Sequence, residues 1–343
     1  MTQKKITITD VALQAGVSVT TVSLVLSGKG RISPATAERV HQTIDELGYV
    51  PNRQAATLRG GSSGVIGLIV NDICDPFYAE MTAGLSEAFE AQGKILFLTQ
   101  SGRDGKGMQR CFDSLLAQGV EGVVLAGGAD SLLGLKEKAD EQGIPLVCAA
   151  RSIGLEGVDL ISPDNMLAAK MATEYLVKRG HRQIAYLGGH SSSLTRAERL
   201  GGFCAILLQY GLPFRSDWVI ECDYQQRVVA DATETLLSHQ PNISAIICHN
   251  ASVAIGAYFG VLRSGRTIGS KGVDTFLEQQ VALIGFGDAP GAELTEPPLT
   301  LISSSAREVG HSAAGRLLQR IGGVSLQQQN IILTPRLIER GSA

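Results

Sequence analysis

The apolar residues of the first fifty positions recur at helical spacing and predict three short helices. Thr7, followed three residues later by Asp10, marks the start of the first helix, and Ser18 marks the start of the second. Gly16 provides the positive φ that a tight turn between these two helices needs. Ser33 precedes the third helix. The residues expected to meet in a small core are Val11, Val17, Val22 and Leu26.

The second helix has the pattern of a DNA-reading element. Its outward face is expected to carry Val19, Thr20, Ser23 and Leu24. A short helix with small hydroxyl and apolar groups on its outward face fits the major groove of DNA. An ordinary αα-hairpin produces the same pattern, so these helices alone do not establish DNA binding.

Short apolar runs that alternate with amphipathic segments begin at residue 65. Apolar strands that are each followed by a helix predict parallel sheets covered on both faces. Eight such runs are too many for one open sheet, so we expect two doubly wound halves with a ligand cleft at the carboxyl ends of their strands. The predicted strands are 65–70, 95–99, 122–127, 145–150, 158–162, 183–189, 244–250 and 281–287.

The chain is thus expected to be an α/β protein with an all-α head and a two-lobed core. Residues 51–63 contain a helix candidate that is too short to be stable alone, followed by a Gly/Ser-rich joint. The expected parts are a helix-turn-helix head (1–50), a hinge helix and linker (51–63), and a core (64–343) with lobe 1 at about 64–162 and 294–323 and lobe 2 at about 163–293 and 324–343.

Charge is distributed unevenly along the sequence. The net charge is −3, but residues 1–60 carry seven Lys or Arg against four Asp or Glu. The head therefore has a charge of +3 and the remainder a charge of −6. This distribution is typical of a phosphate-binding module attached to an acidic body.

Motifs of catalysis and cofactor binding are missing from the sequence. No GxGxxG follows a strand, and no GxxxxGK[ST], GxSxG or HExxH occurs. The six cysteines are far apart, so we interpret them as buried thiols in a reducing compartment. We therefore expect no enzyme, no cofactor and no metal site. The polar N-terminus and the lack of a long apolar run predict a cytoplasmic, nucleoid-associated protein.

A series of segments in order resembles the LacI/GalR family of transcription factors over essentially the full length. They are ITDVALQAGVSVTTVSLVLSGKGRIS, GYVPNRQA with TLRGG, IGLIVNDICDPFYAEMTAGLSEAFEAQG, ISPDN, GHRQIAYLGG, TRAERLGGF and LIGFGD. The resemblance implies a core of the periplasmic-binding-protein type and a homodimer that represses a sugar uptake or metabolism operon from a palindromic operator. A sugar-binding protein of transport type shares this core, but the basic head and the missing export signal argue against that alternative. The absence of a leucine heptad tail favours a dimer over a tetramer.

The resemblance also implies how double-stranded operator DNA is contacted. Val19, Thr20 and Leu24 match the base-reading positions, where valine and leucine offer only apolar contact, chiefly to thymine methyl groups. Leu58 matches the residue that wedges between base pairs in the minor groove. The full set of expected DNA-binding residues is Thr7, Ser18, Val19, Thr20, Thr21, Ser23, Leu24, Ser27, Ser33, Thr36, Asn52, Arg53, Ala55, Ala56 and Leu58.

An effector cleft is implied as well, and here the sequence departs from the sugar-binding members. Ala150 and Gly287 stand where those members carry carboxylates that accept sugar hydroxyls. Because this leaves arginines in excess, we expect neutral sugars to bind poorly and an effector, if one exists, to carry a phosphate or carboxylate. The positions expected to bind a sugar or an anionic sugar derivative are Asp75, Phe77, Arg151, Arg199, Asn250 and Asp288.

Overall fold

The computed structural model describes most of the 343-residue chain. The described residues are 6–27, 30–50, 62–102, 105–127, 133–150, 155–269, 279–287, 291–323 and 327–343. The chain divides into two compact units, Met1–Ser63 and Gly64–Ala343. Most of the predicted hinge, up to residue 61, lies outside the described residues.

Side-chain caps and glycines define the helices of the first unit, as the sequence predicts. The carboxylate of Asp10 accepts hydrogen bonds from the backbone N–H (2.8 Å) and the hydroxyl (2.6 Å) of Thr7. Gly16 ends the first helix with a φ of 64°, and Gly48 ends the third with a φ of 62°. The helices are α1 (Ile8–Ala15), α2 (Val19–Ser27) and α3 (Pro34–Leu47).

A few apolar side chains hold these three helices together. Val11 and Val22 are completely buried, and Val40 of α3 joins them. Val17 and Leu26 are partly buried against the same cluster. The predicted core is confirmed. Since complete burial of one such side chain contributes roughly 1.5–3 kcal/mol, every member of so small a cluster matters for its stability.

The second unit contains eight helices and thirteen strands in its described part. The helices are α4 (Pro76–Glu90), α5 (Met108–Ala117), α6 (Leu133–Gln142), α7 (Asn165–Lys178), α8 (Leu194–Gln209), α9 (Gln226–His239), α10 (Ala251–Arg263) and α11 (Ala306–Ile321). The strands are β1 (Val65–Val70), β2 (Ile95–Gln100), β3 (Val123–Ala126), β4 (Leu146–Ala149), β5 (Asp159–Pro163), β6 (Ile184–Leu187), β7 (Val219–Ile220), β8 (Ala245–Cys248), β9 (Thr267–Ile268), β10 (Gln280–Phe286), β11 (Thr300–Ser303), β12 (Asn330–Leu333) and β13 (Arg336–Ile338).

The first sheet is parallel and has the strand order β12–β5–β4–β3–β1–β2. Every residue of β1 and β3 is buried, as continuous apolar runs predict. Helices α4 and α11 pack against one face, and α5 and α6 pack against the other. Gly84 and Gly310 permit close contact between α4 and α11, because an added Cβ would lie 2.3 Å and 2.2 Å, respectively, from a carbonyl oxygen of the facing helix.

The second sheet has the order β13–β11–β10–β8–β6–β7, and β9 pairs with β10. Helices α7 and α8 contribute to the core on one face, and α9 and α10 contribute to the core on the other. The single antiparallel pair joins β11 and β13 among the described strands of this sheet. Both sheets thus have the doubly wound form that the sequence predicts.

All eight predicted strands are present, with ends that differ by at most two residues from the prediction. The sequence pattern missed β7, β9, β11, β12 and β13, which are only two to four residues long. The predicted four-residue strands, such as β3 and β4, are continuously apolar and buried, whereas the missed strands are only two residues long or contain polar or part-exposed positions.

The predicted lobe boundaries near the C-terminus are wrong for two strands. The prediction places β11 in lobe 1 and β12 in lobe 2. In the structure β11 pairs with β10 in the second sheet, and β12 pairs with β5 in the first. The chain therefore passes between the sheets three times: after β5, between β11 and α11, and between β12 and β13. Long-range pairing decides which sheet a short strand joins, and local hydrophobic pattern does not encode it.

Two further expectations concern the thiols and the apolar segments. All six cysteines are free. Cys111, Cys148 and Cys248 are buried as expected, but Cys204 and Cys222 are only partly buried, and Cys74 is exposed, so the expectation is wrong for Cys74. Cys74 lies in a loop between β1 and α4 and not in the core.

In the described part of the chain no single helix is long and apolar enough to cross a membrane; α1 and α2 reach that length only as a pair bent by 104°.

Candidate nucleic-acid interface and effector pocket

Helix α2 exposes part of its predicted reading face. Thr20 is exposed, and Ser23 and Leu24 are partly exposed. Leu24 also lies beside Gly30, where an added Cβ would come within 3.4 Å of the leucine Cδ2 atom. The Leu24 side chain, a predicted base-reading group, therefore lies within contact range of Gly30.

Val19 departs from the predicted arrangement. This side chain is half-buried and packs against the core of the head, so its placement wholly on the outward face is wrong. The physical reason is helical spacing: Val19, Val22 and Leu26 follow the i, i+3, i+7 pattern and share one stripe of α2. Val19 therefore serves packing at least as much as it serves the outer surface.

The N-termini of α2 and α3 repeat one arrangement of hydroxyl groups. Ser18 accepts a hydrogen bond from the backbone N–H of Thr21 at 3.0 Å, and Ser33 accepts one from Thr36 at 3.2 Å. In each pair the two hydroxyls also lie within hydrogen-bond distance, at 2.9 Å and 2.8 Å. The remaining N–H groups of a helix's first turn and its positive dipole end favour phosphate oxygens. The two capped N-termini are therefore suited to contacts with a phosphate backbone.

Several predicted DNA contacts lie outside the described residues. These are the side chain of Ser27 and the hinge residues Asn52, Arg53, Ala55, Ala56 and Leu58. Thr7 is described and exposed, and its hydroxyl is directed to Asp10.

The second unit contains a small pocket at the carboxyl ends of strands from both of its sheets. The volume is about 160 Å³. One side is formed by the loop between β1 and α4, and the other by the segment before α9 and the start of α10. The lining residues are Asp72, Cys74, Asp75, Tyr224, Gln225, Asn250 and Ser252.

Two of the predicted effector residues reach this pocket because they cap helices beside it. Asp75 accepts a hydrogen bond from the backbone N–H of Phe77 at 3.0 Å, at the start of α4. Asn250 accepts one from Val253 at 2.8 Å, at the start of α10. Phe77 itself is partly buried against the core of the first sheet and is not part of the pocket lining.

Arg199 lies in α8 and is only 7% exposed. Its guanidinium donates to the carbonyl oxygen of His249 and, at 3.0 Å, to Oδ1 of Asn165. The guanidinium carbon lies 4.5 Å from the ring centroid of Phe286. Burial lowers the pKa of Arg199, and the carboxylates of Asp75 and Glu198 oppose that shift. The predicted ligand clamp is therefore already engaged with the protein.

His249 and Tyr186 form a buried hydrogen-bonded pair beside Arg199. The hydroxyl of Tyr186 lies 2.8 Å from Nδ1 of His249, and both side chains are buried. Burial, together with the nearby positive charge of Arg199, lowers the pKa of His249 well below 6.5. At neutral pH the imidazole is thus uncharged, and Arg199 carries the charge of this cluster. The sequence pattern did not single out Tyr186 or His249 for this role.

The positions that lack the expected carboxylates both have unusual backbone. Ala150 has a φ of 59° and Gly287 a φ of 91°. A positive φ is unfavourable for alanine, by roughly 1–2 kcal/mol relative to glycine. Arg151 and Asp288, which follow these two residues, lie outside the described residues, so their predicted roles stay predictions.

Asp72, Tyr224, Gln225 and Ser252 are pocket residues that the sequence did not indicate. Asp72 accepts a hydrogen bond from the backbone N–H of Cys74 at 3.0 Å and is 8% exposed. Its position two residues after the buried strand β1 was the available signal, because strand ends form the ligand edge of this architecture. Within the described ranges no group of three or more His, Cys, Asp or Glu side chains is arranged to hold a metal ion.

Comparison with known proteins gives matches over nearly the whole chain. Residues 7–52 match the family described as bacterial regulatory proteins, lacI family, and residues 63–340 match periplasmic binding proteins and sugar binding domain of LacI family. The chain is 56% identical to the maltose regulon regulatory protein MalI of Escherichia coli (strain K12), over 98% of each chain. It is 31% identical to the HTH-type transcriptional regulator CelR of Thermobifida fusca, over 99% of each.

Solved structures of regulators are also similar along the full length. A lac repressor dimer bound to operator and the anti-inducer ONPF has a TM-score of 0.85 at 26% identity, over 99% of each chain. A complex of transcriptional regulator CelR with cellobiose has a TM-score of 0.72 at 30% identity, over 98% of this chain and 100% of that one.

Proposed function

Because the chain belongs to the LacI family of bacterial regulatory proteins, we propose that it is a transcriptional repressor of maltose-related genes. In this proposal a homodimer binds a palindromic operator in the cytoplasm, and a small molecule bound in the pocket changes its affinity for DNA. The observation that carries the proposal is the 56% identity to MalI, which extends over 98% of the chain. A transport-type binding protein would not need the lacI-family head at residues 7–52.

The surface of α2 supports sequence-specific reading. Thr20 is exposed and offers a hydroxyl and a methyl group, whereas Leu24 offers only apolar contact. The Ser18–Thr21 pair caps the start of α2 itself, and the Ser33–Thr36 pair caps the start of α3 in the same way. Phosphate contacts of that kind fix register, and the α2 side chains then read the bases.

An edge strand supports the homodimer. β2 is the outermost strand of the first sheet, and three of its apolar side chains are substantially exposed: Ile95 (44%), Phe97 (41%) and Leu98 (39%). Adjacent exposed apolar residues on an unpaired strand edge are unfavourable in water unless a partner covers them. In a two-fold symmetric dimer, β2 of one protomer would pack against β2 of its partner, so that a single contact covers both copies of this strand.

The proposal is tested by binding to DNA fragments from upstream of the protein's own gene and of neighbouring maltose-related genes. We expect the full chain to retard a palindromic fragment strongly and a scrambled fragment weakly, with affinity that falls steeply as salt rises. The matched control is residues 64–343, which form a separate unit and should stay dimeric without binding DNA. Equal affinity for palindromic and scrambled DNA would refute a sequence-specific operator.

A further inference from the structure

The residue at which the chain enters the second unit is held by groups from two neighbouring strands. Gly64 directly precedes β1, and β1 lies between β2 and β3 in the first sheet. Because these strands are parallel, their amino ends meet at one edge of the sheet. Lys94, just before β2, and Glu121, two residues before β3, therefore come together beside Gly64.

Both backbone groups of Gly64 are fixed at this edge. One carboxylate oxygen of Glu121 accepts a hydrogen bond from the N–H of Gly64 at 2.6 Å, and the other accepts one from the ammonium group of Lys94. The carbonyl oxygen of Gly64 accepts a hydrogen bond from the N–H of Ile95 at 2.8 Å. Gly64 has a φ of 68°, a conformation that glycine adopts readily and other residues do not. The start of the second unit is therefore fixed on both sides of its first peptide group.

Partial burial strengthens the contact that Glu121 makes. The side chains of Lys94 and Glu121 are only 16% and 14% exposed. Salt screens such charges less than it screens exposed ones, and a hydrogen bond from an N–H group to a carboxylate is stronger than one between neutral groups. Lys94 is itself tied to the end of α4, because its backbone N–H donates to the carbonyl oxygen of Phe89 at 3.0 Å. Helix α4 and the beginnings of three strands thus converge on Gly64.

We infer that Glu121, held by Lys94, is a positioning residue for operator binding, because it fixes the point from which each head of a dimer extends. The inference rests on the proposed function, since a palindromic operator requires two heads at a defined separation. Once one head is bound, the other meets its half-site at an effective concentration that depends on how its attachment is held. Releasing Gly64 widens the range of positions open to the second head and lowers that effective concentration.

The first measurement compares the affinity of the full chain for two DNA fragments at one salt concentration. One is the palindromic fragment of the operator test, and the other is the same fragment with one half-site scrambled. For Glu121→Ala we expect about tenfold weaker binding to the palindrome but an unchanged affinity for the single half-site, because one head needs no defined separation. A general loss of folded protein would weaken binding to both fragments alike.

Matched variants separate the contact from its surroundings. Glu121→Gln retains an oxygen for the Gly64 N–H, so it should weaken binding to the palindrome only about threefold, and so should Lys94→Met, which leaves the carboxylate in place. The control is Asp113→Ala, which breaks an exposed ion pair with Lys138 in the same lobe. We expect it to leave both affinities unchanged.

A second measurement follows Gly64 without DNA. Amide hydrogen exchange of the full chain, read from a peptide that covers residues 62–68, should be faster in Glu121→Ala, because the Gly64 N–H loses its acceptor. Asp113→Ala should exchange like the unaltered chain. Sedimentation of each variant at the concentrations used for DNA binding distinguishes a loss of positioning from a loss of the dimer.

Four results would overturn the inference. They are equal losses on the two fragments, unchanged binding of the palindrome by Glu121→Ala, unchanged exchange at residues 62–68, and a loss of affinity that follows dissociation of the dimer. An unaltered chain that binds palindromic and scrambled DNA equally would instead refute the proposed function, and the inference with it. An unaltered chain that prefers the palindrome, with variants that do so equally well, would refute only the role of Glu121.

Discussion

Replacing Arg199 with leucine tests whether its guanidinium stabilises the fold or is available to bind a ligand. The variant keeps an apolar stem beside Phe286 but leaves the His249 carbonyl and the Asn165 amide oxygen without their donor. Each buried polar group left unsatisfied costs about 1–3 kcal/mol. Removing a charge that is 7% exposed returns part of this through lower desolvation. We therefore expect the free energy of unfolding to fall by about 2–4 kcal/mol.

The assay is urea unfolding of the full chain followed by fluorescence. Trp218 is the single tryptophan, and it is buried in the core on one face of the second sheet. Arg199 also packs against this sheet, so the fluorescence of Trp218 reports unfolding of the lobe that contains Arg199. Arg263→Leu is the matched control, because Arg263 forms exposed ion pairs with Asp231 and Glu234. Exposed pairs of this kind contribute about 0–1 kcal/mol.

A loss at Arg199 no larger than the loss at Arg263 would refute the reasoning. It would mean that the guanidinium is not needed by its protein acceptors and is available to a ligand in the cleft. Arg199→Lys refines the result, since an ammonium group reaches one acceptor more readily than two. We expect its loss to lie between zero and the loss of the leucine variant.

Three further predictions concern DNA, assembly and pH. Leu24→Arg should shift one symmetric operator position toward guanine, with about 1–3 kcal/mol of discrimination in a binding selection; an unchanged consensus would contradict its reading role. Phe97→Glu should weaken the dimer about 100-fold in sedimentation equilibrium, whereas Ile332→Glu, on the opposite edge strand of the same sheet, should not; equal effects would place the interface elsewhere. Burial lowers the pKa of His181 to about 4 in the folded protein. As the pH falls below 6.5, His181 is therefore protonated in the unfolded chain before it is protonated in the folded one. Stability should therefore drop by about 2 kcal/mol between pH 7 and pH 5 in urea titrations, and His181→Gln should remove that part of the slope.

The head was predictable from sequence because its signals are local. Ser18 and Ser33 lie three residues before the amides they cap, and Gly16 and Gly48 occur where a helix must end. The continuously apolar and buried strands, such as β1 and β3, were predictable for the same reason. Val19 was misplaced because its spacing to Val22 fits the inner stripe, while its match to a reading position suggested the outer one.

The C-terminal strands were not predictable because their partners are distant in sequence. β12 pairs with β5 about 170 residues earlier, and β13 pairs antiparallel with β11 in the other sheet. The four or fewer residues of each strand do not indicate which partner strand, or which sheet, it joins. Pairing of this kind depends on the packing of whole lobes, which a local pattern does not describe.

The same distinction explains which residues of the candidate effector pocket were predictable from the sequence. Asp75 and Asn250 were identified because each matches a motif and caps a helix that begins at the ligand edge. The engagement of Arg199 could not be read, since its acceptors are 34 and 50 residues away. Matching two positions to carboxylates in sugar-binding relatives suggested a pocket with excess positive charge. The polarity of a pocket is set by every group that lines it, and Asp72 and Asp75 reach this pocket from a loop of the first sheet that contains neither of the two matched positions. A match at Ala150 and Gly287 therefore does not by itself fix the polarity of the whole lining.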